Sequence, residues 1–183
     1  MEDLSLHILD IGENAINAGA SLIEITLEEY IEQNILLLRI KDDGEGFGEE
    51  IQEKVLDPFY TTRETRRVGL GLPMLAQAVK EAEGDLRIES EEGQGTTITA
   101  LFVYDHFDRK PLGDIAGTLM ALIVMGADID MVYEHRKNGK GFVLDTREIK
   151  KELQDVSIDS PGVLTYLKEI ITDGLNELNK EGK

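Results

Sequence analysis

Residues 35–48 read ILLLRIKDDGEGFG, and this stretch decides the fold prediction. Its first half is rich in branched and apolar residues and runs into glycines, which predicts a strand that ends in a tight turn. Asp42 lies at the end of the strand, followed by Gly44 and Gly46. The glycines would let the backbone approach a flat ligand while the carboxylate accepts a hydrogen bond. A tight turn rich in acidic residues is the alternative, so the flanking sequence has to decide.

The periodicity on both sides of this stretch predicts an α/β sandwich. Residues 4–18 have apolar positions three and four apart, as in a helix, and residues 21–30 alternate as in a half-buried strand. A short helix at 49–56 and a polar loop follow, then a helix from Leu72 and two strands joined by EEGQG. This order in residues 1–104 predicts two layers, with helices on one face of a mixed or antiparallel sheet.

Residues 105–183 predict a small α+β extension of a helix, a hairpin and two helices. The apolar run at 112–126 predicts the first helix, and Asn138-Gly139 is typical of a hairpin turn. The unit is small for independent folding, so we expect it to dock on residues 1–104. The stripe of leucines and isoleucine on the last helix could bind a partner, but packing within the chain is the simpler interpretation.

The composition excludes several classes of function. The chain has 183 residues, 19 Lys and Arg, 37 Asp and Glu and a formal net charge of −18, which opposes binding to nucleic acid or anionic lipid. Cysteine is absent, so disulfides and thiolate metal sites are excluded. No apolar run is long enough to cross a membrane, and no secretory leader is visible. We therefore expect a cytoplasmic protein that contacts neither nucleic acid nor membrane.

Two residues of the first predicted helix suit a cation and a water molecule. Asp10 and Asn14 are four positions apart and are neighbours on one helix face. A carboxylate beside a carboxamide can polarise water and complete the oxygen shell of Mg²⁺. Taken alone, the pair is more often a solvated helix face.

Two further segments suit the phosphate group and the flat ring of a ligand. Gly69 and Gly71 lie where a loop becomes a helix, whose amide groups can bind phosphate, and Arg63 adds positive charge nearby. Thr96, in GQGTTIT, can donate or accept a hydrogen bond on its strand. Taken singly, these segments are more often a helix start and a hairpin exit.

In their order and spacing, the four segments resemble the motifs of the histidine-kinase-like (GHKL, Bergerat-fold) ATPase superfamily over residues 4–104. DPFYTTR, then GLGLPML, then ESEEGQGTTITALF is most similar to the catalytic domain of sensor histidine kinases. The resemblance implies a Bergerat ATP-binding fold with ATP and Mg²⁺ as cofactors.

The resemblance also assigns roles to residues. It implies that Asn14 binds Mg²⁺, that Asp42 binds the adenine amino group and that Asp10 stands where relatives activate water, one methylene shorter than their Glu. Arg63 or its neighbours would compensate for a short lid over the phosphates. The positions implied to bind the nucleotide are Asn14, Asp42, Gly44, Gly46, Arg63, Gly69, Leu70, Gly71, Leu72 and Thr96.

The three histidines bear on kinase activity. Only three residues precede the first helix, so we expect no phosphoacceptor hairpin ahead of it. HFDRKPL at His106 resembles a phosphoacceptor pattern, but Phe107 stands in place of the usual acid, so we interpret it as coincidence or a linker. His7 is interpreted as a packing residue or a pocket wall, and His135 as a surface residue.

Two functions of different class remain open at this stage. The protein is either an enzyme that moves the γ-phosphoryl group of ATP to a protein partner or to water, or a module whose protein contacts are gated by nucleotide. Homodimerisation is left open by the sequence.

Overall fold

Six strands form one mixed sheet in the part of the chain that the computed structural model describes, residues 1–52, 54–56 and 71–180. The strands are β1 Leu22–Tyr30, β2 Ile35–Asp42, β3 Asp85–Glu91, β4 Gly95–Val103, β5 Asp130–Lys137 and β6 Lys140–Asp145. The helices are α1 Leu4–Asn17, α2 Glu49–Gln52, α3 Gly71–Glu81, α4 Ile115–Met125, α5 Thr146–Leu153 and α6 Pro161–Asn179. The strand order is β3-β4-β2-β1-β5-β6, with β1 and β5 parallel and the other neighbours antiparallel. The predicted mixed α/β fold is confirmed.

Alternation along each strand gives the sheet one buried and one open face. Ile23, Ile25 and Leu27 of β1 are buried under the helices. The residues between them face the other way, where Glu24 forms an ion pair of 3.4 Å with Lys41 of β2. The core therefore lies between the sheet and a single helical layer. In the part of the chain described, no helix is long and apolar enough to cross a bilayer.

Helix α1 depends on residues that follow β4. A Cβ atom on Gly12 would lie 2.5 Å from a methyl carbon of Leu122, so α1 and α4 approach closely because this position is glycine. At the start of α1, the Leu4 N–H donates to the Pro111 carbonyl over 2.9 Å. The connection between β4 and α4 thus satisfies a donor that a helix N-terminus leaves open.

The extension adds two strands to the sheet and packs on it. Its first helix begins at Ile115, three residues later than the apolar run predicts, because Gly113 has a φ of +77° and the Asp114 side chain accepts from the Gly117 N–H. On α6, Leu167 and Ile171 are fully buried. The C-terminal stripe is therefore part of this chain's own core.

The interpretation of His135 as a surface residue is wrong, since it is 3% exposed. Pairing of β5 with β1 in the interior of the sheet points this side chain toward the helices. Its Nε2 lies 2.8 Å from Glu29 Oε1, and its Nδ1 lies 3.1 Å from the Tyr133 hydroxyl. Burial would raise the pKa of Glu29, but hydrogen bonds from His135 and Tyr104 and the charge of Lys137 outweigh it and lower that pKa. A charged carboxylate thus lies inside a satisfied polar cluster.

His7 is a packing residue of α1, as one of its two predicted roles requires. It is 1% exposed, and neither ring nitrogen has a hydrogen-bond partner among the described residues. Burial lowers the pKa of His7 to about 4. The unfolded chain therefore binds a proton between pH 6.5 and 4 that the folded chain does not, and stability falls as the pH drops through this window.

Replacing His7 by Leu should stabilise the protein. The change removes two unsatisfied buried nitrogens, so we expect the free energy of unfolding at pH 7 to rise by about 1–3 kcal/mol. The loss of stability between pH 6.5 and 4 should shrink by up to about 3 kcal/mol. Urea unfolding across this range measures both, with His106→Leu as the matched control at a partly exposed histidine. An unchanged pH dependence in His7→Leu would contradict the assignment.

Candidate functional site

A buried carboxylate lies at the end of β2, on the helix-covered side of the sheet. Asp42 is 8% exposed, and its Oδ1 accepts from the Gly44 N–H over 2.9 Å. The backbone N–H of Thr96 is a second donor to this carboxyl group. Burial raises the pKa of Asp42, and the two backbone hydrogen bonds oppose the rise. Asp42 is thus a fixed acceptor at the edge of the core.

The neighbouring Asp43 has a structural role instead. Its Oδ1 accepts from the N–H groups of Ser21 and Leu22 over 2.7 and 2.8 Å, which anchors the start of β1. Successive strand residues point to opposite faces, so only one of two adjacent aspartates can face the helices. The structure places Asp42 there.

The glycines after Asp42 let three backbone segments meet. Gly46 has a φ of +59°, and a Cβ atom on it would lie 2.1 Å from the Glu91 carbonyl oxygen. Gly95 has a φ of +97°, and its Cβ would lie 2.0 Å from the Asp42 carbonyl oxygen. At Gly44, a Cβ would lie 2.9 Å from the Ala18 carbonyl oxygen. The chain's own backbone fills the space beside these glycines, so each has a structural reason beyond approach to a ligand.

Ser90 is a site residue that the sequence did not single out. Its hydroxyl lies 3.0 Å from the Gly95 carbonyl, 2.9 Å from the Thr96 hydroxyl and 2.9 Å from the Phe47 N–H. A hydroxyl has one proton, and a carbonyl can only accept. If Ser90 donates to Gly95, the Thr96 hydroxyl donates to Ser90. The Thr96 hydroxyl oxygen would then meet a ligand as an acceptor, because donating its proton leaves its two lone pairs.

Asp10, Asn14 and Gly71 form a second part of the site. Asn14 Nδ2 donates to Asp10 Oδ2 over 3.1 Å, which fixes both side chains on one face of α1. A Cβ atom on Gly71 would lie 1.7 Å from the same Asp10 oxygen. The first residue of α3 is therefore glycine because α3 begins against this carboxylate, and Leu72 after it packs on the core.

Helix α1 connects the two parts. Its C-terminal Ala18 carbonyl accepts from the Glu45 N–H over 2.9 Å, directly beside the Asp42 loop. At a rise of 1.5 Å per residue, Asn14 lies about 6 Å and Asp10 about 12 Å back along the axis from Ala18. The site is thus elongated, with the Asp42 carboxylate at one end and the Asp10–Asn14 pair toward the other.

The oxygen atoms at this second end fit a hard divalent cation. No cluster of three or more His, Cys, Asp or Glu suited to a metal occurs among the residues that the structure describes. Mg²⁺ commonly takes one or two protein oxygens and completes its shell with water and phosphate. Asp10 and Asn14 fit that pattern. Arg63, Gly69 and Leu70 lie outside the described residues.

Comparison with known proteins identifies the family. The description "Histidine kinase-, DNA gyrase B-, and HSP90-like ATPase" matches residues 2–106, more than half of the chain. The chain belongs to this ATPase family. The match covers both parts of the site and ends just after β4.

The relatives found are far longer than this chain. Sporulation kinase E of Bacillus subtilis (strain 168) is 41% identical over 90 residues, which are 48% of this chain and 12% of the kinase. The sensor histidine kinase WalK of the same strain is 38% identical over 87 residues, 45% of this chain and 14% of the kinase. The chain spans a fifth or less of the length of the curated relatives it matches.

The solved structure of one ATPase domain shares the fold. The ATPase domain of Aquifex aeolicus MutL, complexed with ADP, matches with a TM-score of 0.50 at 14% identity. The match covers 84% of this chain and 70% of the MutL chain. The catalytic domain of the histidine kinase ThkA is 26% identical, with a TM-score of 0.45, and covers 57% of this chain and 68% of its own. The MutL likeness reaches beyond residue 106 and so includes part of the extension.

The contact at Gly46 predicts a difference between two glycines of similar φ. Gly46→Ala should destabilise the protein by at least about 3 kcal/mol, since a positive φ is combined with a backbone clash. Gly93 has a φ of +77° with open space around it, so Gly93→Ala should cost about 1 kcal/mol. Thermal and urea unfolding measure both variants. Equal losses in the two variants would contradict the close packing of the Asp42 loop.

Proposed function

We propose that the protein binds Mg·ATP at this site and moves the γ-phosphoryl group to a protein partner or to water. The observation that carries the proposal is the buried Asp42 carboxylate, held by two backbone N–H groups at the end of β2. Membership in the ATPase family and the ADP complex of the MutL relative support it. ATP use also implies a cytoplasmic protein.

Adenine suits the Asp42 end of the site. Its exocyclic amino group offers two protons, which the Asp42 carboxylate and the Thr96 oxygen could accept. Guanine has a carbonyl oxygen at the corresponding ring position, and a carboxylate would repel it. Asp42 and Thr96 therefore favour adenine over guanine.

The phosphates suit the other end. The first residues of α3 present N–H groups and the positive end of a helix dipole close to Asp10. Asn14 uses its nitrogen toward Asp10, so its oxygen is the atom that would coordinate Mg²⁺. The ion would neutralise charge on the phosphate oxygens. The proposed lid residues Arg63, Gly69 and Leu70, together with Gly71 and Leu72, would cover the phosphates.

Asp10 is the proposed general base. It would accept a proton from the water or partner hydroxyl that attacks the γ-phosphorus, while the bond to the β-phosphate oxygen breaks. Its hydrogen bond to Asn14 fixes the orientation that this role needs. A residue one methylene longer would not fit as well, since Gly71 already lies against the carboxylate.

His106 is poorly placed to receive the phosphoryl group within one chain. His106 Nε2 lies 4.0 Å from Glu83 Oε1, just past the C-terminal end of α3, whereas the phosphates would lie at the start of α3 beside Asp10. At 1.5 Å per residue, the start of α3 at Gly71 and its end at Glu81 lie about 15 Å apart. Transfer to His106 would therefore need a second copy of the chain.

A nucleotide-gated interaction module is the second candidate. The close packing of the 105–180 segment on α1 favours it, because a shift of α1 on nucleotide binding would reach α4 through the Gly12–Leu122 contact. In that case ATP binds without turnover. The two candidates share the binding site and differ in the fate of the γ-phosphate.

Asp10→Asn separates the two candidates. When the full chain is incubated with γ-labelled ATP and Mg²⁺, we expect it to release labelled phosphate or to transfer the label to a partner. The Asp10→Asn variant should lower the rate of that reaction by about 100-fold. Binding of ATP should change less than about threefold, because the amide keeps the shape of the carboxylate. Isothermal titration and phosphate release measure the two quantities.

Three outcomes would change the assignment. Unchanged turnover in Asp10→Asn would exclude Asp10 as the base. Binding without any turnover in the wild type would favour the nucleotide-gated module. Acid-labile label on the chain that disappears in His106→Ala would make His106 the acceptor, in a second copy.

A further inference from the structure

Phe107 projects from the end of the sheet that lies opposite the candidate site. It is 89% exposed, the highest value for a large hydrophobic residue in the described part of the chain. Its ring stacks on the neighbouring His106 with a centroid distance of 5.4 Å. An aromatic side chain of this size contributes strongly to binding when an interface buries it.

The loop that carries Phe107 is held firmly in place. Asn34 and Asp105 exchange two hydrogen bonds, from the Asp105 N–H to Asn34 Oδ1 over 3.0 Å and from Asn34 Nδ2 to Asp105 Oδ1 over 2.6 Å. On the other side of Phe107, the Arg109 Nε donates to the Tyr104 carbonyl, and its guanidinium lies 5.2 Å from the Tyr104 ring centre. A fixed loop loses little conformational entropy on binding, which favours association.

The structure explains the HFDRKPL motif without phosphorylation. His106 Nδ1 accepts from the Asp108 N–H over 3.2 Å, so this ring helps to close the turn. Arg109 holds Tyr104, and Lys110 forms an ion pair of 3.3 Å with Glu81 of α3. The polar residues of the motif build the loop, and the loop displays Phe107.

The surroundings of Phe107 combine apolar and acidic groups. Ile35 pairs with Val103 at the end of β4 and is 37% exposed, as is Ile31 in the turn before it. Asp105 and Asp108 flank Phe107 in the sequence, and both are exposed. We define the Phe107 surface as Phe107, Ile31, Ile35, Asp105 and Asp108.

We propose that the Phe107 surface docks a protein partner that receives Phe107 in an apolar pocket rimmed by Lys and Arg. The basic rim follows from charge complementarity with Asp105 and Asp108, since the two cations of the loop are engaged elsewhere, Arg109 over the Tyr104 ring and Lys110 with Glu81. A second copy of this chain is disfavoured as the occupant, because its net charge of −18 would repel this acidic surface. The proposal goes beyond the nucleotide chemistry, which lies at the other end of the sheet.

Photocrosslinking tests the proposal in native host cells. The full chain carries p-benzoylphenylalanine in place of Phe107 or, as the control, in place of Tyr166, which is 61% exposed on α6. We expect one discrete crosslinked protein for position 107 that is absent for position 166. Mass spectrometry of the crosslinked peptide should locate a region of apolar residues flanked by Lys and Arg.

Binding of the purified full chain to that purified protein completes the test. We expect Phe107→Ala to weaken the affinity at least tenfold, Tyr166→Ala to leave it unchanged, and added salt to weaken it. No product specific to position 107, a crosslink to a second copy, or unchanged affinity in Phe107→Ala would each overturn the proposal. ATP titrated into Phe107→Ala should bind with the wild-type affinity. A failure of the docking proposal can therefore be told apart from a failure of the proposed ATP binding.

Discussion

The backbone of Glu45 joins three elements at the end of the sheet that carries the candidate site. Its N–H donates to the Ala18 carbonyl at the end of α1, and its carbonyl accepts from the Gly93 N–H in the turn between β3 and β4 over 2.7 Å. These two hydrogen bonds hold the loop after Asp42 against the helix that carries Asp10 and Asn14. They also hold it against the strand pair that carries Ser90 and Thr96. The relative positions of all the site residues on described elements depend on this junction.

The two ends of the sheet have different chemistry, and β1 passes between them. One end places Asp42 beside donors and acceptors suited to a nucleotide. Near the other end, Glu29 and His135 form a buried polar cluster, and Phe107 projects into solvent beyond it. Because α1 and α4 pack through Gly12, the extension is mechanically connected to the helix that carries Asp10 and Asn14. This arrangement can serve an enzyme, which needs only the nucleotide end, or a nucleotide-gated module, which needs the two ends to communicate.

Local patterns predicted the order of the elements correctly, because strand alternation and glycine turns are local properties. The role of Asp42 in binding adenine stays a prediction. His135 was misplaced, since its burial depends on the parallel pairing of β5 with β1, two strands about 100 residues apart in the chain. Ser90 was missed because a single serine on a strand carries no signal of its own. Its role comes from the register that places it opposite Thr96. HFDRKPL resembled a phosphoacceptor pattern, but the structure uses its Arg109 to hold the Tyr104 carbonyl and its Lys110 to pair with Glu81 of α3, contacts that the pattern alone does not reveal.

Titration of Mg·ATP into Asp42→Asn and Asp43→Asn tests the central claim most directly. Both variants remove one negative charge from the same dipeptide, but only Asp42 faces the candidate site, while Asp43 anchors β1. The account predicts that Asp42→Asn weakens ATP binding by at least about tenfold, since a charged hydrogen bond is worth about 1.5–3 kcal/mol. Asp43→Asn should keep the wild-type affinity where circular dichroism shows that it is folded. Equal affinity in Asp42→Asn and the wild type would contradict the account.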